Sequence, residues 1–396
     1  MLARGKTIVS IISAYKAVKT GYQAAIMVPT AILAKQHVDS FKQILDQYGI
    51  NIELLISGIP KKKKEEILQK LSNGEIDIII GTHSLLEENV AFKKLGFVVT
   101  DEQHRFGVRQ RSTITKKGEN PDVLVMTATP IPRTLALILY GDLDISIIDE
   151  LPPNRKKIET YAVTKQLEDR VNIFIDKQIK EGKQVYVVCP LVEENEEIDA
   201  KSVVEVAEKY KCNIFSKYRV EYLHGKMKQK EKDEIMEEFK DGKIQILIST
   251  TVIEVGVNVP NATVMVVENA ERFGLAQLHQ LRGRVGRGEA QSYCILKYQG
   301  KSDIIRQRMK VMQETNDGFI ISEKDLELRG SGEFFGTKQH GLPEFRIANL
   351  YEDMPVLKEA QALATQIIDD DFMLKKEENK CLKKIVEKKF KNRIEI

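Results

Sequence analysis

The sequence predicts an α/β protein with two parallel-sheet domains in tandem, followed by a helical segment, a loop and a small helical C-terminal tail. Short apolar runs rich in β-branched residues alternate with longer amphipathic stretches, and this alternation occurs twice. At about 150 residues per domain, a chain of 396 residues suits two or three domains. Asp149–Arg155 contains two prolines and no periodic pattern, so it predicts a linker between the two sets of runs.

The apolar runs predict strands buried on both faces of a sheet, because parallel strands covered by helices are apolar throughout. Residues 33–48 and 167–179 lie between such runs and place apolar side chains on one helical face. The predicted strands are Ala24–Val28, Ile76–Ile80, Phe97–Thr100 and Val123–Met126 in the first set, and Gln184–Val188, Ile244–Ser249, Thr263–Val267 and Ser292–Lys297 in the second.

The strand rhythm stops after Tyr298. Residues 301–324 have helical spacing, and a glycine-rich stretch from Asp325 to Gly341 predicts a loop. The tail from about Met354 is again helical in pattern. The predicted segments are therefore a first lobe at 1–150, a second lobe at 151–300, a helix-and-loop segment at 301–345 and a helical tail at 346–396.

Composition narrows the class of protein. A hydrophobic share of 42% with 30% charged residues rules out wholesale disorder, and no apolar run is long enough for a transmembrane helix. The start has no signal-peptide pattern. A net charge of +3 is too small to prove a nucleic-acid partner, so any basic surface is local. Four cysteines without a CxxC pair argue against zinc and disulfides and predict a cytoplasmic location.

Two motifs in the first lobe suggest phosphate chemistry. Gly5-Lys6-Thr7 has the residue types that end a P-loop: a glycine for close approach, a lysine for phosphate oxygens and a hydroxyl for Mg²⁺. Asp101 and Glu102 follow an apolar strand, where the first acid can hold Mg²⁺ through water and the second can polarise the attacking water. Taken alone, the first motif could be an ordinary helix start and the second a turn.

Two further motifs follow strands. Thr127 and Thr129 lie in a proline-rich segment, which predicts a rigid turn able to sense the neighbouring loop. Arg282, Arg284 and Arg287 are spaced by glycines, and the last two are three residues apart, hence on one face of a helix. Such guanidinium groups can clamp a γ-phosphate. A basic surface helix is the alternative, and the interleaved glycines argue against it because they weaken a helix.

The order and spacing of these motifs resemble the motor of superfamily 2 helicases, and longer stretches resemble the bacterial RecG family of branched-DNA helicases. The resemblance covers nearly the whole chain. The segments that carry it are residues 28–37 (motif Ia), 81–86 (motif Ib), 101–111, 127–136, 147–155, 252–288 and 325–345.

The resemblance implies two RecA-like lobes with ATP between them and nucleic acid across their tops. After the second lobe it implies a helical hairpin and loop that couple ATP turnover to translocation on duplex DNA. The residues it assigns to ATP hydrolysis, ATP binding and Mg²⁺ are Gly5, Lys6, Thr7, Asp101, Glu102, Thr127, Thr129, Gln280, Arg284 and Arg287, with Thr7 and Asp101 as the metal-binding pair. Those assigned to DNA are Thr30, Gln36, His83, Thr250 and Thr251, with Arg329 and Gln339 in the loop.

The implied function is ATP-dependent translocation on, or unwinding of, branched DNA such as replication forks and Holliday junctions, in recombination and repair. ATP and Mg²⁺ are the implied cofactors, branched or duplex DNA and a single-stranded DNA-binding protein are the implied partners, no membrane is involved, and a monomer is expected. Two alternatives remain: an Mfd-like duplex translocase, or a remnant that binds DNA without turning over ATP.

The sequence departs from the family pattern at two places. Asn258 stands where many members have aspartate. Ala3-Arg4 stand where Gly-Ser is expected, and neither the wedge domain nor most of the P-loop is in the sequence. We therefore expect an open strand edge in the first sheet, weak ATP binding and no fork unwinding by this chain alone. A low-micromolar ATP affinity would contradict the second expectation.

Overall fold

The computed structural model describes residues 3–102, 113–127, 143–148, 156–190, 196–250, 259–286, 288–300, 302–334 and 353–390. These residues form two parallel β-sheets with flanking helices, which confirms the predicted α/β class. The chain divides into two compact units. The first contains both sheets and continues to Asp325, and the second contains the last two helices of the chain's described part. No helix among the described residues is long and apolar enough to cross a membrane.

The first sheet has the strand order β2-β3-β1-β4-β5 and is parallel throughout. Its central strand β1 is buried at every residue, as its uninterrupted apolar run predicts. Its elements are α1 (Ala3–Lys19), β1 (Gln23–Met27), α2 (Ala31–Leu45), β2 (Ile52–Leu55), α3 (Lys61–Asn73), β3 (Ile78–Gly81), β4 (Leu95–Asp101) and β5 (Asp122–Met126).

Helix α2 begins where sequence rules place a helix start. The Thr30 hydroxyl oxygen accepts a hydrogen bond from the backbone N–H of Leu33 at 3.3 Å, which satisfies one of the donors left open in the first turn. The helix then buries Ala34, His37, Phe41 and Leu45, at intervals of three and four residues, against the sheet. The carboxyl end of β1 and the start of α2 are thereby fixed together.

The second sheet has the order β6-β11-β10-β7-β9-β8 and is also parallel throughout. Its core contains Val187, Ile248 and Val266 from three adjacent strands. Its elements are β6 (Glu159–Val163), α4 (Glu168–Lys180), β7 (Gln184–Val188), α5 (Glu196–Lys209), β8 (Val220–Leu223), α6 (Gln229–Lys240), β9 (Ile246–Ser249), β10 (Ala262–Val267), α7 (Leu275–Arg282) and β11 (Tyr293–Lys297).

All the predicted strands are present, and β2, β6 and β8 were missed. Each of the three lies at an edge of its sheet and mixes exposed or half-buried polar residues with apolar ones. An edge strand pairs with only one other strand and is partly exposed. Its sequence therefore need not be apolar throughout. The remaining described edge strand is β5, where Val123 is 41% exposed.

The segment after the second sheet is more helical than predicted. It consists of α8 (Asp303–Glu314), α9 (Gly318–Phe334), α10 (Met354–Asp370) and α11 (Lys380–Phe390). The loop predicted from Asp325 is wrong as far as Phe334, so the backbone of Arg329 is in α9. Glycine costs roughly 1 kcal/mol in a helix, which burial of apolar residues such as Ile321 and Leu326 can offset.

Candidate functional site

Three of the predicted ATP residues lie at the carboxyl ends of two adjacent strands of the first sheet: Asp101, Glu102 and Thr127. Asp101 ends β4 and pairs in register with Met126 of β5, so Thr127 follows at the level of Glu102. On the other side of β4, Thr100 pairs with Met27, the last residue of β1. The carboxyl ends of parallel strands form the ligand-binding edge of such sheets.

Asp101 is surrounded by polar contacts although it is only 8% exposed. One carboxylate oxygen, Oδ1, lies 3.9 Å from Lys6 Nζ and accepts a hydrogen bond from the backbone N–H of Glu102 at 2.9 Å. The other, Oδ2, lies 3.2 Å from His37 Nε2. Lys6, Asp101 and Glu102 are therefore brought together in the structure.

The surroundings of Asp101 favour its ionised form. Burial raises the pKa of the carboxyl group, but the hydrogen bond with His37 and the positive charge of Lys6 outweigh burial. The pKa is therefore below its ordinary value. A carboxylate that remains charged in a buried position suits cation binding.

Glu102 has a strained backbone. Its φ angle is 55°, in the left-handed region that a residue with a Cβ rarely adopts, and the residue is 9% exposed. Such a conformation costs about 1–3 kcal/mol, persists only where surrounding structure holds it, and clusters at active sites. Here the hydrogen bond from Glu102 N–H to the Asp101 side chain provides one such constraint.

The donor set fits a magnesium ion that binds together with phosphate. Among the described residues, no group of three or more His, Cys, Asp and Glu side chains could hold a metal ion by itself. Mg²⁺ at nucleotide sites needs only one or two protein oxygens, because phosphate and water supply the rest. The Asp101 carboxylate and the Thr7 hydroxyl are oxygen donors, and Lys6 can bind phosphate oxygens.

Gly5, Lys6 and Thr7 lie within the first turns of α1, which begins at Ala3. The first backbone N–H groups of a helix have no partner inside the helix and can bind an anion. A Cβ on Gly5 would meet only Ile148 side-chain atoms, at 3.4 Å or more. The described residues therefore leave room for a Cβ at position 5, so packing against them does not require a glycine there.

The predicted DNA residues of the first lobe follow neighbouring strands. Thr30 caps α2 after β1, Gln36 is half-buried in the same helix, and His83 is exposed just after β3. His83 Nε2 lies 3.3 Å from the hydroxyl oxygen of Ser57. Thr30 and His83 therefore follow the carboxyl ends of the adjacent strands β1 and β3.

The predicted residues of the second lobe are less completely described. Thr250 is 1% exposed, so its side chain is not accessible at the surface. No described residue forms a hydrogen bond with its hydroxyl group. Gln280 is in α7, whereas Arg284 lies beyond it, because α7 ends at Arg282. The prediction that Arg284 lies on a helical face with Arg287 is therefore wrong, because Arg284 is not in a helix. Gly283 ends α7, and Gly286 has a left-handed φ of 71°.

Some predicted site residues lie outside the described part of the chain. The side chain of Arg329 belongs to this group, although its backbone is in α9. The others are Thr129, Thr251, Arg287 and Gln339, together with Asn258.

Arg282, the first arginine of the glycine-spaced motif, is a buried structural residue. It is 1% exposed, and its guanidinium group donates to the backbone oxygens of Met312 at 2.8 Å and Thr315 at 2.9 Å. Further contacts join it to the Thr160 hydroxyl at 3.3 Å and to His279 Nδ1 at 3.1 Å. Arg282 thus joins α7 to β6 and to the end of α8 instead of facing a ligand.

The contact between Arg282 and His279 predicts an acid-sensitive element. Burial and then the positive charge of Arg282 lower the pKa of His279 to about 4, from an ordinary 6.5. The unfolded chain therefore takes up this proton at higher pH than the folded chain, and stability falls as pH drops from 6.5 to 4. From this shift, the loss at pH 4 is about 3 kcal/mol.

We therefore expect His279→Gln to lose less unfolding free energy than the wild type between pH 6.5 and pH 4. The glutamine can still accept from Arg282 but cannot be protonated. Urea unfolding of both proteins at several pH values measures the difference. An equal loss in the two proteins would show that His279 does not carry this proton.

Three family models match successive parts of the chain. The DEAD/DEAH box helicase model matches residues 3–138, and the helicase conserved C-terminal domain matches residues 165–289. The model described as ATP-dependent DNA helicase RecG, domain 3, C-terminal, matches residues 315–395.

Curated relatives are similar over most of the chain. The ATP-dependent DNA helicase RecG of Bacillus subtilis is 51% identical over 379 residues, which are 96% of this chain and 56% of that protein. The RecG of Streptococcus pneumoniae is 50% identical over 92% of this chain and 54% of its own length. This chain thus spans about half the length of the curated relatives that it matches.

Solved structures agree with this similarity. A RecG bound to a three-way DNA junction is 45% identical, has a TM-score of 0.73, and is matched over 89% of this chain and 46% of that one. A helicase called MrfA, solved with DNA and AMPPNP, has a TM-score of 0.58 at 18% identity, over 90% of this chain and 54% of its own, and shows the fold alone.

Proposed function

Since this chain belongs to the RecG family of ATP-dependent DNA helicases, we propose that it is an ATP-driven motor that acts on branched DNA. The family implies the use of ATP. The match of residues 315–395 to a RecG-specific model supports the RecG type over the Mfd type. The proposal concerns only the part of the relatives' sequence that this chain matches, which is about half of their length.

The observation that carries the proposal is the convergence of Lys6, Asp101 and Glu102 at the end of β4. In our proposal Lys6 binds phosphate oxygens, and Asp101 and Thr7 hold Mg²⁺. The metal would neutralise charge on the phosphates. Glu102 orients and polarises the water that attacks the terminal phosphate. The strained backbone of Glu102 holds this residue beside Asp101.

The substrate class is supported by a relative and by the first lobe. The structure of a 45% identical RecG contains a three-way DNA junction, and we extend this substrate class to the present chain. Thr30 and His83 supply a hydroxyl and an imidazole group just after adjacent strands, and Gln36 supplies an amide group from α2. Such groups bind phosphates and position a strand without reading its sequence.

The same proposal includes the organisation of the chain into four segments. These are the lobes at 1–150 and 151–300, the translocation element at 301–345 and the tail at 346–396. The proposal also includes the roles of Gln280 and Arg284 in completing the ATP site. A monomeric state, a cytoplasmic location and a single-stranded DNA-binding protein as partner stay predictions from the sequence.

ATP hydrolysis with different nucleic acids tests the proposed function. Phosphate release by this chain is measured without nucleic acid, and with linear duplex DNA, a three-way DNA junction or duplex RNA. We expect DNA to raise turnover and the junction to raise it most. Turnover that does not respond to DNA, at concentrations where the DNA is fully bound, would contradict a DNA motor and favour a binding remnant.

A further inference from the structure

His37 contacts the proposed metal-binding carboxylate from a different helix. Its Nε2 atom lies 3.2 Å from Asp101 Oδ2, and the two residues are 64 positions apart in the sequence. Because Oδ1 already accepts from Glu102 N–H and faces Lys6, His37 is the described group that fixes the other oxygen. The orientation of the carboxylate therefore depends on His37.

Packing alone does not account for a histidine at this position. His37 is 5% exposed and lies on the apolar face of α2 between Ala34 and Phe41. Its ring is 6.2 Å from that of Phe41, centroid to centroid, and no described residue pairs with its Nδ1 atom. A buried ring nitrogen without a partner is unfavourable, so an apolar residue would fill the space at lower cost. The contact that a leucine or phenylalanine could not provide is the one to Asp101.

Helix α2 also carries two of the proposed DNA contacts. Thr30 caps its first turn, and Gln36 immediately precedes His37. Because the same helix carries these residues and His37, a displacement of α2 on DNA contact would also shift His37. The contact between His37 and Asp101 thus joins the proposed DNA-binding helix to the proposed metal site.

We propose that His37 is a positioning residue that fixes the Asp101 carboxylate and transmits DNA contact from α2 to the ATP site. This inference rests on the proposed function, which gives Asp101 its metal-binding role. It assigns His37 no contact with ATP or with the metal. Residues that orient a metal ligand in this way typically change metal affinity or activity about 10- to 100-fold when they are replaced.

Two substitutions of similar chemistry test the contact. In His37→Gln the amide nitrogen can reach the position of Nε2, whereas the shorter side chain of His37→Asn cannot. Phe41→Leu is the packing control, because Phe41 is a fully buried neighbour with no polar group. The first readout is the affinity for Mn²⁺ in the presence of ADP, measured by electron paramagnetic resonance. The second readout is the ratio of ATP turnover with the three-way junction to ATP turnover without it.

We expect His37→Asn to weaken Mn²⁺ binding about 10-fold and to bring the DNA stimulation ratio close to 1. His37→Gln should restore both values. Phe41→Leu should lower the melting temperature and leave both values unchanged. Wild-type Mn²⁺ affinity and stimulation in His37→Asn, or equal losses in Phe41→Leu, would overturn the inference.

The same assays separate this inference from the proposed function. Wild-type protein that binds Mn²⁺ with ADP but hydrolyses no ATP with any DNA would contradict the proposed function. In that case the transmission of DNA contact fails with it, and the Mn²⁺ affinities of His37→Asn and His37→Gln alone decide whether His37 fixes Asp101. An unchanged affinity in His37→Asn contradicts the positioning role even if the wild type is an active DNA motor.

Discussion

Glu102→Gln will lower DNA-stimulated ATP turnover at least ~100-fold and leave ATP binding intact, because the amide keeps the size of the side chain but cannot polarise or deprotonate water. Removal of a general base typically costs 10²- to 10⁴-fold in rate. Lys6 and Asp101, which carry the binding part of the site, are unchanged in this variant. Steady-state phosphate release measures turnover, and titration with a fluorescent ATP analogue measures binding.

Glu65→Gln is the matched control for this prediction. Glu65 is an exposed residue of α3 that pairs with Lys61 on the same helix at 3.9 Å. The same chemical change there should leave turnover at the wild-type value. Turnover within a few-fold of the wild type in Glu102→Gln would show that another residue activates the water.

Arg282→Met will lower the free energy of unfolding by about 3 kcal/mol, because several buried acceptors lose their donor at once. The carbonyl oxygens of Met312 and Thr315 and the Nδ1 atom of His279 each receive an N–H from Arg282. Methionine fills a similar volume but donates nothing. No described carboxylate pairs with Arg282, so removal of its buried charge offsets part of the loss.

Urea unfolding followed by circular dichroism measures this effect. Arg272→Met is the control, since Arg272 is exposed and lies in the same lobe, and it should change stability by no more than about 0.5 kcal/mol. Equal stabilities of Arg282→Met and Arg272→Met would contradict an anchoring role.

The central strands were predictable because their sequences report burial on both faces. Ala24–Val28 predicted β1, which is buried at every residue. The edge strand β6 alternates exposed Glu159 and Tyr161 with buried Thr160, so its sequence resembles a loop or a half-exposed segment. The glycines of α9 misled the prediction in the opposite direction, because glycine disfavours a helix without forbidding one.

The proposed ATP site was predictable where its residues follow strands in sequence. Asp101 and Glu102 were identified from the apolar strand before them, and the structure places Lys6 beside them. His37 was not identified, because it occupies one position in a regular apolar face and its polar contact is made with a strand 64 residues away. The buried contacts of Arg282 were not predicted either, because they arise only when α8 packs nearby.

The most direct test of the central claim is ATP hydrolysis by the wild type and Glu102→Gln in one experiment, with and without a three-way DNA junction. If Lys6, Asp101 and Glu102 form a DNA-responsive ATP site, the junction raises phosphate release by the wild type, and Glu102→Gln shows neither the basal nor the stimulated rate. Retained DNA binding with no phosphate release by the wild type, or equal rates in the two proteins, would contradict the claim.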